Sequence, residues 1–469
     1  MAINQLSDDV LLEIFGFYLA YPLPLPFNQE DKWHTLVHVC RQWRYVVFGS
    51  PRRLDLRLFC TNRRLEKTLD IWPELPIVIH LDEIFGQLPS VTNVISVLNR
   101  HDRVCKLKIF IIDVPNSFLK EVATTMSEPF PALIELGLTS YAEDLLTLPD
   151  SFLGGSAPRL RSLVLCGISF PAIGKLLLST RDLVTLSLDF IPPSGYISPE
   201  AIVPILSALT RLESFRLHFE IPQFWTHGAS RRPPALTRIV LPALTNFSFY
   251  SYVGYLGDFV SRIDAPLDCI AMAFFDELVV SDIPLLRDFI DRTKIFHAPY
   301  RVETSLSNIR GSILLFQRKG DVDFKVLSLE IPSSSFTLGS QISSLTQACS
   351  SLFPPLPSLE HLGIYEYRSN RFGSLRHHEV DTTQWMELLR PFITVKDLVL
   401  GEPLILFVAS TLQELVGERG TEILPALQNI FLEGFQASSP VPEGIAKFIA
   451  ARERSGRPVM LHHREAKQC

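Results

Sequence analysis

The residues that could do chemistry in this 469-residue chain are few, and none stands at the spacing its chemistry requires. Between Gly167 and Lys175 a lysine follows a glycine, as in a phosphate-binding loop. The interval is too long, however, and Leu176 stands where Ser or Thr would hold magnesium. His378-Glu379 begins a zinc-protease phrase, in which two histidines four apart on a helix share the metal, but Thr382 occupies the second place. There is no Gly-x-Ser-x-Gly nucleophile elbow. His34, His38 and Cys40 could share part of a helix surface, yet Trp33, Leu36 and Val39 surround them and a fourth ligand is missing. No cofactor or metal is expected, and the chain reads as non-catalytic.

The elements that carry information are apolar instead. Ser7 is suited to cap a helix, and Asp8 and Asp9 put negative charge in its first turn, where the helix dipole favours it. A surface helix needs one apolar stripe, but Val10, Leu11, Leu12, Ile14, Phe15, Phe17, Tyr18 and Leu19 surround most of this one. It therefore calls for burial on two sides. A second helical segment follows, with Asp31 as its cap. Trp33, Leu36 or Val37, Cys40 and Val47 lie on one line of it, and Val39, Trp43 and Val46 on another. Pro22, Pro24 and Pro26 forbid helix in the connection 21–31. Such a pair of segments serves either as a docking module for a partner or as the hydrophobic end-cap of the domain behind it.

Composition narrows the setting. Hydrophobic residues are 47% and charged residues 20% of the chain, a balance that builds cores and excludes disorder. Thirty-four prolines predict many short elements divided by turns. A net charge of −6 is slight for this length and argues against general nucleic-acid binding. The local basic run of Arg41, Arg44, Arg52, Arg53, Arg57, Arg63, Arg64 and Lys67 is either a partner-facing patch or a solvated face. Seven scattered cysteines without a Cys-x-x-Cys pair suggest reduced thiols, hence a cytoplasmic or nuclear protein. The longest uncharged run, 239–257, alternates like strands, so no membrane span is expected.

One phrase, Leu-x-x-Leu-x-Leu, recurs along the remainder. It reads Leu133-Leu136-Leu138, Leu160-Leu163-Leu165, Leu183-Leu186-Leu188 and Leu212-Phe215-Leu217. It continues through Leu244-Phe247-Phe249, Leu267-Ile270-Met272, Phe324-Leu327-Leu329 and Leu359-Leu362-Ile364 to Leu427-Ile430-Leu432. Most intervals fall in the twenties or thirties of residues, the period of a repeat made of one strand and one helix. Stretches 173–179, 199–209, 255–263, 284–292, 383–392 and 442–454 read as the helices. The wide gap between Leu267 and Phe324 has room for an additional unit, with strand candidates at 300–305 and 312–316. An ordinary α/β domain also alternates strands and helices, but its strands read as continuous apolar runs. In a leucine-rich strand the leucines point inward and the alternate residues face the open side of the sheet. Arg216, His218, Tyr250, His361 and Tyr365 are the candidate target-facing residues, in a mixed set that includes Glu330, Asp397 and Asn429.

Residues 1–50 resemble the F-box, a helical module that docks on an adaptor of a cullin-type ubiquitin ligase. The resemblance rests on Leu6, Asp9, Leu11-Leu12 and Cys40-Arg41-Gln42-Trp43. Ser7 stands where proline is usual, and the 21–31 connection is longer than the common one. The recurrent phrase resembles leucine-rich repeats, though the asparagine that usually follows it is missing from most copies. Together they are similar to a large F-box family of mushroom-forming fungi. Trp33 through Arg44, Phe48-Gly49-Ser50-Pro51-Arg52-Arg53-Leu54, Ile71-Trp72-Pro73 and Phe448-Ile449-Ala450-Ala451-Arg452 are its most similar passages.

The resemblance implies an α/β chain in three parts: an F-box at 1–50, a linker and cap at 51–102, and an irregular leucine-rich-repeat-like solenoid at 103–469. It implies a substrate receptor of an SCF-type (Skp-cullin-F-box) ligase, bound through a Skp-family adaptor to a cullin-RING assembly and holding a protein target. Leu6, Leu11, Leu12, Ile14, Phe15, Trp33, Leu36, Val39, Cys40, Trp43 and Val46 would form the docking helices and their support. The alternative is a non-degradative repeat scaffold with a diverged F-box.

Overall fold

The computed structural model describes residues 6–20, 32–60, 74–82, 91–110, 116–141, 146–220, 238–276, 283–293, 298–307, 310–332, 337–366, 380–416, 423–435 and 439–465. The proline connection 21–31 with Asp31, the Ile71-Trp72-Pro73 passage and His378-Glu379 lie outside these residues. The chain forms two compact units, Met1–Ile197 with Ala208–Leu212, and Ser198–Ser207 with Glu213–Cys469.

The first unit opens with helices α1 (Asp8–Ala20), α2 (Lys32–Val37) and α3 (Arg41–Gly49). Asp8 and Asp9 occupy the first turn of α1, and the Ser7 carbonyl accepts from the Leu11 amide at 3.0 Å. The second segment is two helices rather than the single one its spacing predicts. The amides of His38 and Val39 bond back to Thr35 and Leu36, and Cys40 then takes an extended backbone. Its Sγ accepts from the Trp43 amide at 3.5 Å and caps α3, while Arg44 Nε donates to the Val37 carbonyl at 2.9 Å. The sulfur starts a new helix and the guanidinium satisfies the end of the old one, so Trp33 and Cys40 do not share a helical line.

Behind these helices run strands β1 (Leu58–Cys60), β2 (Ile77–Asp82), β3 (Val104–Phe110), β4 (Glu135–Thr139), β5 (Leu146–Thr147), β6 (Ser162–Cys166), β7 (Ile168–Ser169) and β8 (Thr185–Ile191). The ladder β1-β2-β3-β4-β6-β8 is parallel throughout, and β5 and β7 form a separate parallel pair. Helices α4 (Val91–Leu98), α5 (Asn116–Thr125) and α6 (Ile173–Ser179) lie between successive strands in the chain.

The second unit holds β9 (Ser214–Phe219), β10 (Ile239–Val240), β11 (Asn246–Ser251), β12 (Ile263–Asp264), β13 (Cys269–Phe274), β14 (Arg301–Leu306), β15 (Arg310–Lys319), β16 (Val322–Pro332), β17 (His361–Glu366), β18 (Asp397–Gly401), β19 (Asn429–Glu433) and β20 (Met460–Arg464). Its helices are α7 (Pro199–Ser207), α8 (Val253–Ser261), α9 (Ile283–Arg292), α10 (Leu338–Ser351), α11 (Thr382–Leu389), α12 (Ile405–Glu414) and α13 (Glu443–Arg454). The sheet order is β9-β11-β13-β16-β15-β14-β17-β18-β19-β20.

Both strand candidates of the wide gap are present, as β14 and β15, but the order is not that of one more regular repeat unit. After α9 the chain fills three places in reverse. β14 pairs with β17 in parallel, β15 runs antiparallel to both β14 and β16, and β16 completes the parallel edge on β13. Short connections cause this, since hairpin turns join only antiparallel neighbours, whereas parallel ones need a crossover.

The recurrent phrase has one physical role. Its leucines, such as Leu136, Leu163, Leu186, Leu217, Leu327, Leu362, Leu398 and Leu432, are buried on one side of the sheet. Arginines stitch the turns together. Arg103 bonds to the Leu75 carbonyl, Arg292 to those of Val260 and Ile263, and Arg452 to those of Leu424, Pro425 and Leu427. Each reaches back about one repeat length to carbonyls at the end of the preceding repeat. The fold is α/β with a large, mostly parallel sheet.

Candidate binding surfaces

The first surface is on α1. Leu11, Leu12 and Phe15 are buried, Phe15 against Trp43 at 4.8 Å between ring centroids, and Trp33, Leu36, Val37, Val46 and Val47 complete the small core. Trp33 is anchored by its indole N–H, which donates to the Arg57 carbonyl at 2.9 Å. Six of the expected docking residues, Leu11, Leu12, Phe15, Trp33, Leu36 and Val46, are therefore support rather than contact surface. Leu6, Cys40 and Trp43 are half-buried, and Ile14 and Val39 are exposed.

The exposed stripe is wider than those two residues. Val10, Ile14, Phe17 and Tyr18 follow the i, i+4, i+7, i+8 spacing of one helix face, and all four are exposed, Phe17 to 76%. Tyr45 on α3 is also 76% exposed. The spacing is readable in the sequence; Tyr45 has no such signal. Part of the basic run has a local use: Arg53 pairs with Asp9 and Glu13 of α1, and Arg57 with Asp55.

The second surface is the side of the second unit's sheet opposite the leucines. All five candidate target-facing residues lie on it, in two groups with β13, β16, β15 and β14 between them in sheet order. In the first group His218 and Tyr250 are register partners on β9 and β11, and their rings meet edge-on at 4.1 Å. Arg216 precedes His218 by one outward position. Phe275 adds an edge contact to Tyr250 at 4.7 Å, and the Arg310 guanidinium lies over the Tyr250 ring at 4.5 Å. Burial, then the charges of Arg310 and Arg216, pushes His218 down to about 4.

The second group is a polar ladder across four strands. His361 Nδ1 stands 2.8 Å from Asp397 Oδ2, Asn429 Nδ2 donates to Asp397 Oδ1 at 2.7 Å, and His462 Nε2 lies 3.2 Å from Asn429 Oδ1. Tyr300 meets the His361 ring edge-on at 5.5 Å. Tyr365 is not in this row. Its ring lies down along the sheet, where a Cβ on Gly363 would come within 2.6 Å of it and one on Gly401 within 3.0 Å. Only glycines leave room for that rotamer.

Neither group assembles a nucleophile with its base, and no cluster of three metal-binding side chains occurs among the described residues. His34 packs edge-on against Trp33, His38 is exposed, and Cys40 serves as a cap. The six described cysteines are free, and burial raises Cys60 and Cys349 to about 12. A cleft of about 360 Å³ beside β12 has Arg292 in its wall, already engaged with Asp264 and backbone carbonyls. Among the described residues no helix is long and apolar enough to cross a membrane. No known family model matches the chain, and no curated protein matches it in sequence.

Proposed function

We propose that this chain is the substrate-receptor subunit of an SCF-type ubiquitin ligase, contributing no chemistry of its own. In this reading α1–α3 are the F-box and dock on a Skp-family adaptor, and the units behind them are irregular leucine-rich repeats that hold a protein target. The observation that carries it is the two-faced α1: one apolar stripe packs its own module, and the stripe Val10, Ile14, Phe17 and Tyr18 is left for something else. The sheet face supports the second half, because aromatic, polar and charged side chains are mixed there as in protein interfaces. Ubiquitin transfer would then be accelerated by tethering, which raises the effective concentration of target lysines near the charged enzyme.

The test is capture of a recombinant Skp-family adaptor by the full chain and by an Ile14→Asp, Phe17→Asp variant. Both variant positions are exposed, so folding is retained while docking is lost; a substitution such as Leu11→Asp would only put a carboxylate into the core. No adaptor capture by the wild-type chain refutes the reading. The alternative of a non-degradative scaffold, for which Ser7 and the long proline-rich connection 21–31 are the sequence arguments, then becomes the one to pursue.

A further inference from the structure

The last strand in the second unit's sheet order keeps one edge bare. β20 pairs in parallel with β19 from Met460 to Arg464, and among the described residues nothing pairs with its outer edge. The Met460 amide donates to the Gln428 carbonyl at 2.8 Å, and the Arg464 carbonyl accepts from the Gly434 amide at 3.1 Å. Bonded residues alternate along a parallel ladder, so Met460, His462 and Arg464 turn their backbone groups to β19. Leu461 and His463 therefore turn both N–H and C=O outward, as a template for one more strand.

The side chains beside that edge decide which strand it admits. Met460, His462 and Arg464 stand on the open side of the sheet, as register partners of Asn429, Phe431 and Glu433. The Arg464 guanidinium lies over the Phe431 ring at 3.6 Å, and the His462 ring stacks on the same phenylalanine at 4.8 Å. Arg464 is thus positioned by an aromatic face; it is exposed and has no ion pair among the described residues. Of the exposed charges in 453–465, Arg454, Arg457 and Arg464 outnumber Glu453 and Glu465. Charge at an edge turns away neutral and basic strands, whereas a carboxylate opposite Arg464 gains a cross-strand pair. A second copy of the chain fits less well. Antiparallel pairing of Leu461 with His463 of the copy sets Arg464 against Met460 and His462 against itself, so no opposite charges meet. A five-residue strand also covers far less than the roughly 800 Å² per partner of a stable interface.

We infer that β20 receives an extended segment of the target as an added strand, with Leu461 and His463 supplying the backbone hydrogen bonds and Arg464 selecting a carboxylate on the open side. The inference rests on the receptor reading above and names a feature of the target which that reading leaves open. Main-chain pairing gives affinity that is indifferent to sequence, and the side chain beside the edge gives the choice. A strand this short binds weakly alone. A target already held on the sheet face brings its segment to the edge at raised effective concentration.

The test is residue-resolved hydrogen exchange on the full chain, alone and with a tail fused after Cys469 that imitates a tethered target. Each tail is a flexible glycine-serine linker followed by a decapeptide of alternating valine and threonine with glutamate, glutamine or several prolines at its centre. In the chain alone, the Leu461 and His463 amides should exchange at least about tenfold faster than the His462 amide. The glutamate tail should slow both at least about threefold, the glutamine tail less, and the proline tail not at all, because proline cannot pair. In Arg464→Gln the glutamate and glutamine tails should become equal. Slow exchange of Leu461 and His463 in the chain alone overturns the inference, and slowing that grows with chain concentration assigns the edge to a second copy instead. It is also overturned by no effect of the glutamate tail, by equal slowing from the proline tail, or by a glutamate preference that survives Arg464→Gln. Adaptor capture by Arg464→Gln should match wild type, because α1 is untouched. Failure of adaptor capture by the wild-type chain strikes the receptor reading and leaves the exchange result standing.

Discussion

Replacing Phe17 by alanine separates the proposed docking role of the exposed α1 stripe from the core behind it. The residue is 76% exposed. An aromatic side chain offers about 150–250 Å², so a partner that covers the exposed part removes about 115–190 Å² from water. At about 25 cal/mol per Å² that amounts to roughly 3–5 kcal/mol. Ordering of the side chain and imperfect covering offset part of it, which leaves about 2 kcal/mol, or about thirtyfold in affinity. In the free protein the same change removes almost no packing, so stability should move by no more than about 0.5 kcal/mol. Leu11→Ala, one residue past the stripe and fully buried, should by contrast cost about 2–5 kcal/mol of stability. The assay is titration with recombinant Skp-family adaptor beside a urea melt of each variant. Wild-type affinity for a Phe17→Ala protein with an unchanged melt would refute the assignment of this stripe to docking. A destabilisation of several kcal/mol would refute its exposure.

Three further outcomes follow from the packing. His218 sits well below its ordinary value because of burial and two arginines, so the native state binds fewer protons than the unfolded one between about pH 6.5 and about pH 4. Stability at this site is therefore full above that window and falls as the pH drops through it, by roughly 1–2 kcal/mol after allowance for partial exposure. His218→Gln should flatten that part of a urea-midpoint profile, and equal slopes for the two proteins would contradict the argument. Arg452→Ala removes the guanidinium from the carbonyls of Leu424, Pro425 and Leu427, of which that of Leu424 keeps the Leu427 amide, and should lower stability by roughly 2–4 kcal/mol, seen as a lower urea midpoint; a neutral result would mean that water replaces the guanidinium. A Cβ on Gly444 would lie 2.1 Å from the Ala409 carbonyl. Gly444→Ala should therefore push α13 off α12 at a cost of about 1–3 kcal/mol, measurable as a lower melting temperature.

Several of these features are legible in the amino-acid sequence. Alternation along each Leu-x-x-Leu-x-Leu phrase names the buried residues, because successive side chains on a strand point to opposite sides. All five target-facing candidates accordingly lie on the outward face. Helix α10 is readable in principle, with Thr337 as its cap and Leu338, Ile342, Leu345 and Cys349 on one face, but its serine-rich sequence masks that stripe. The break before Cys40 is not readable. It depends on a sulfur-to-amide contact and on Arg44 reaching the Val37 carbonyl, and neither leaves a periodic trace. The buried Phe448 and Arg452 explain the terminal passage Phe448-Ile449-Ala450-Ala451-Arg452: the ring packs inward, and the guanidinium closes the turn before β19.

By itself the sequence determined which side of each strand is apolar, the recurrence of strand and helix, and the excess apolar surface of α1. All of these are short-range properties, written in spacings of two to four residues. The tertiary structure decided the rest. The reversed β14-β15-β16 order follows from two tight connections, and it carries Arg310 to Tyr250 across sixty residues of chain. Whether a given α1 residue is buried or exposed depends on which stripe α3 covers, and the lowered pKa of His218 depends on burial first and then on arginines from β9 and β15. Those are long-range outcomes, because desolvation and charge act through space and are indifferent to order along the chain.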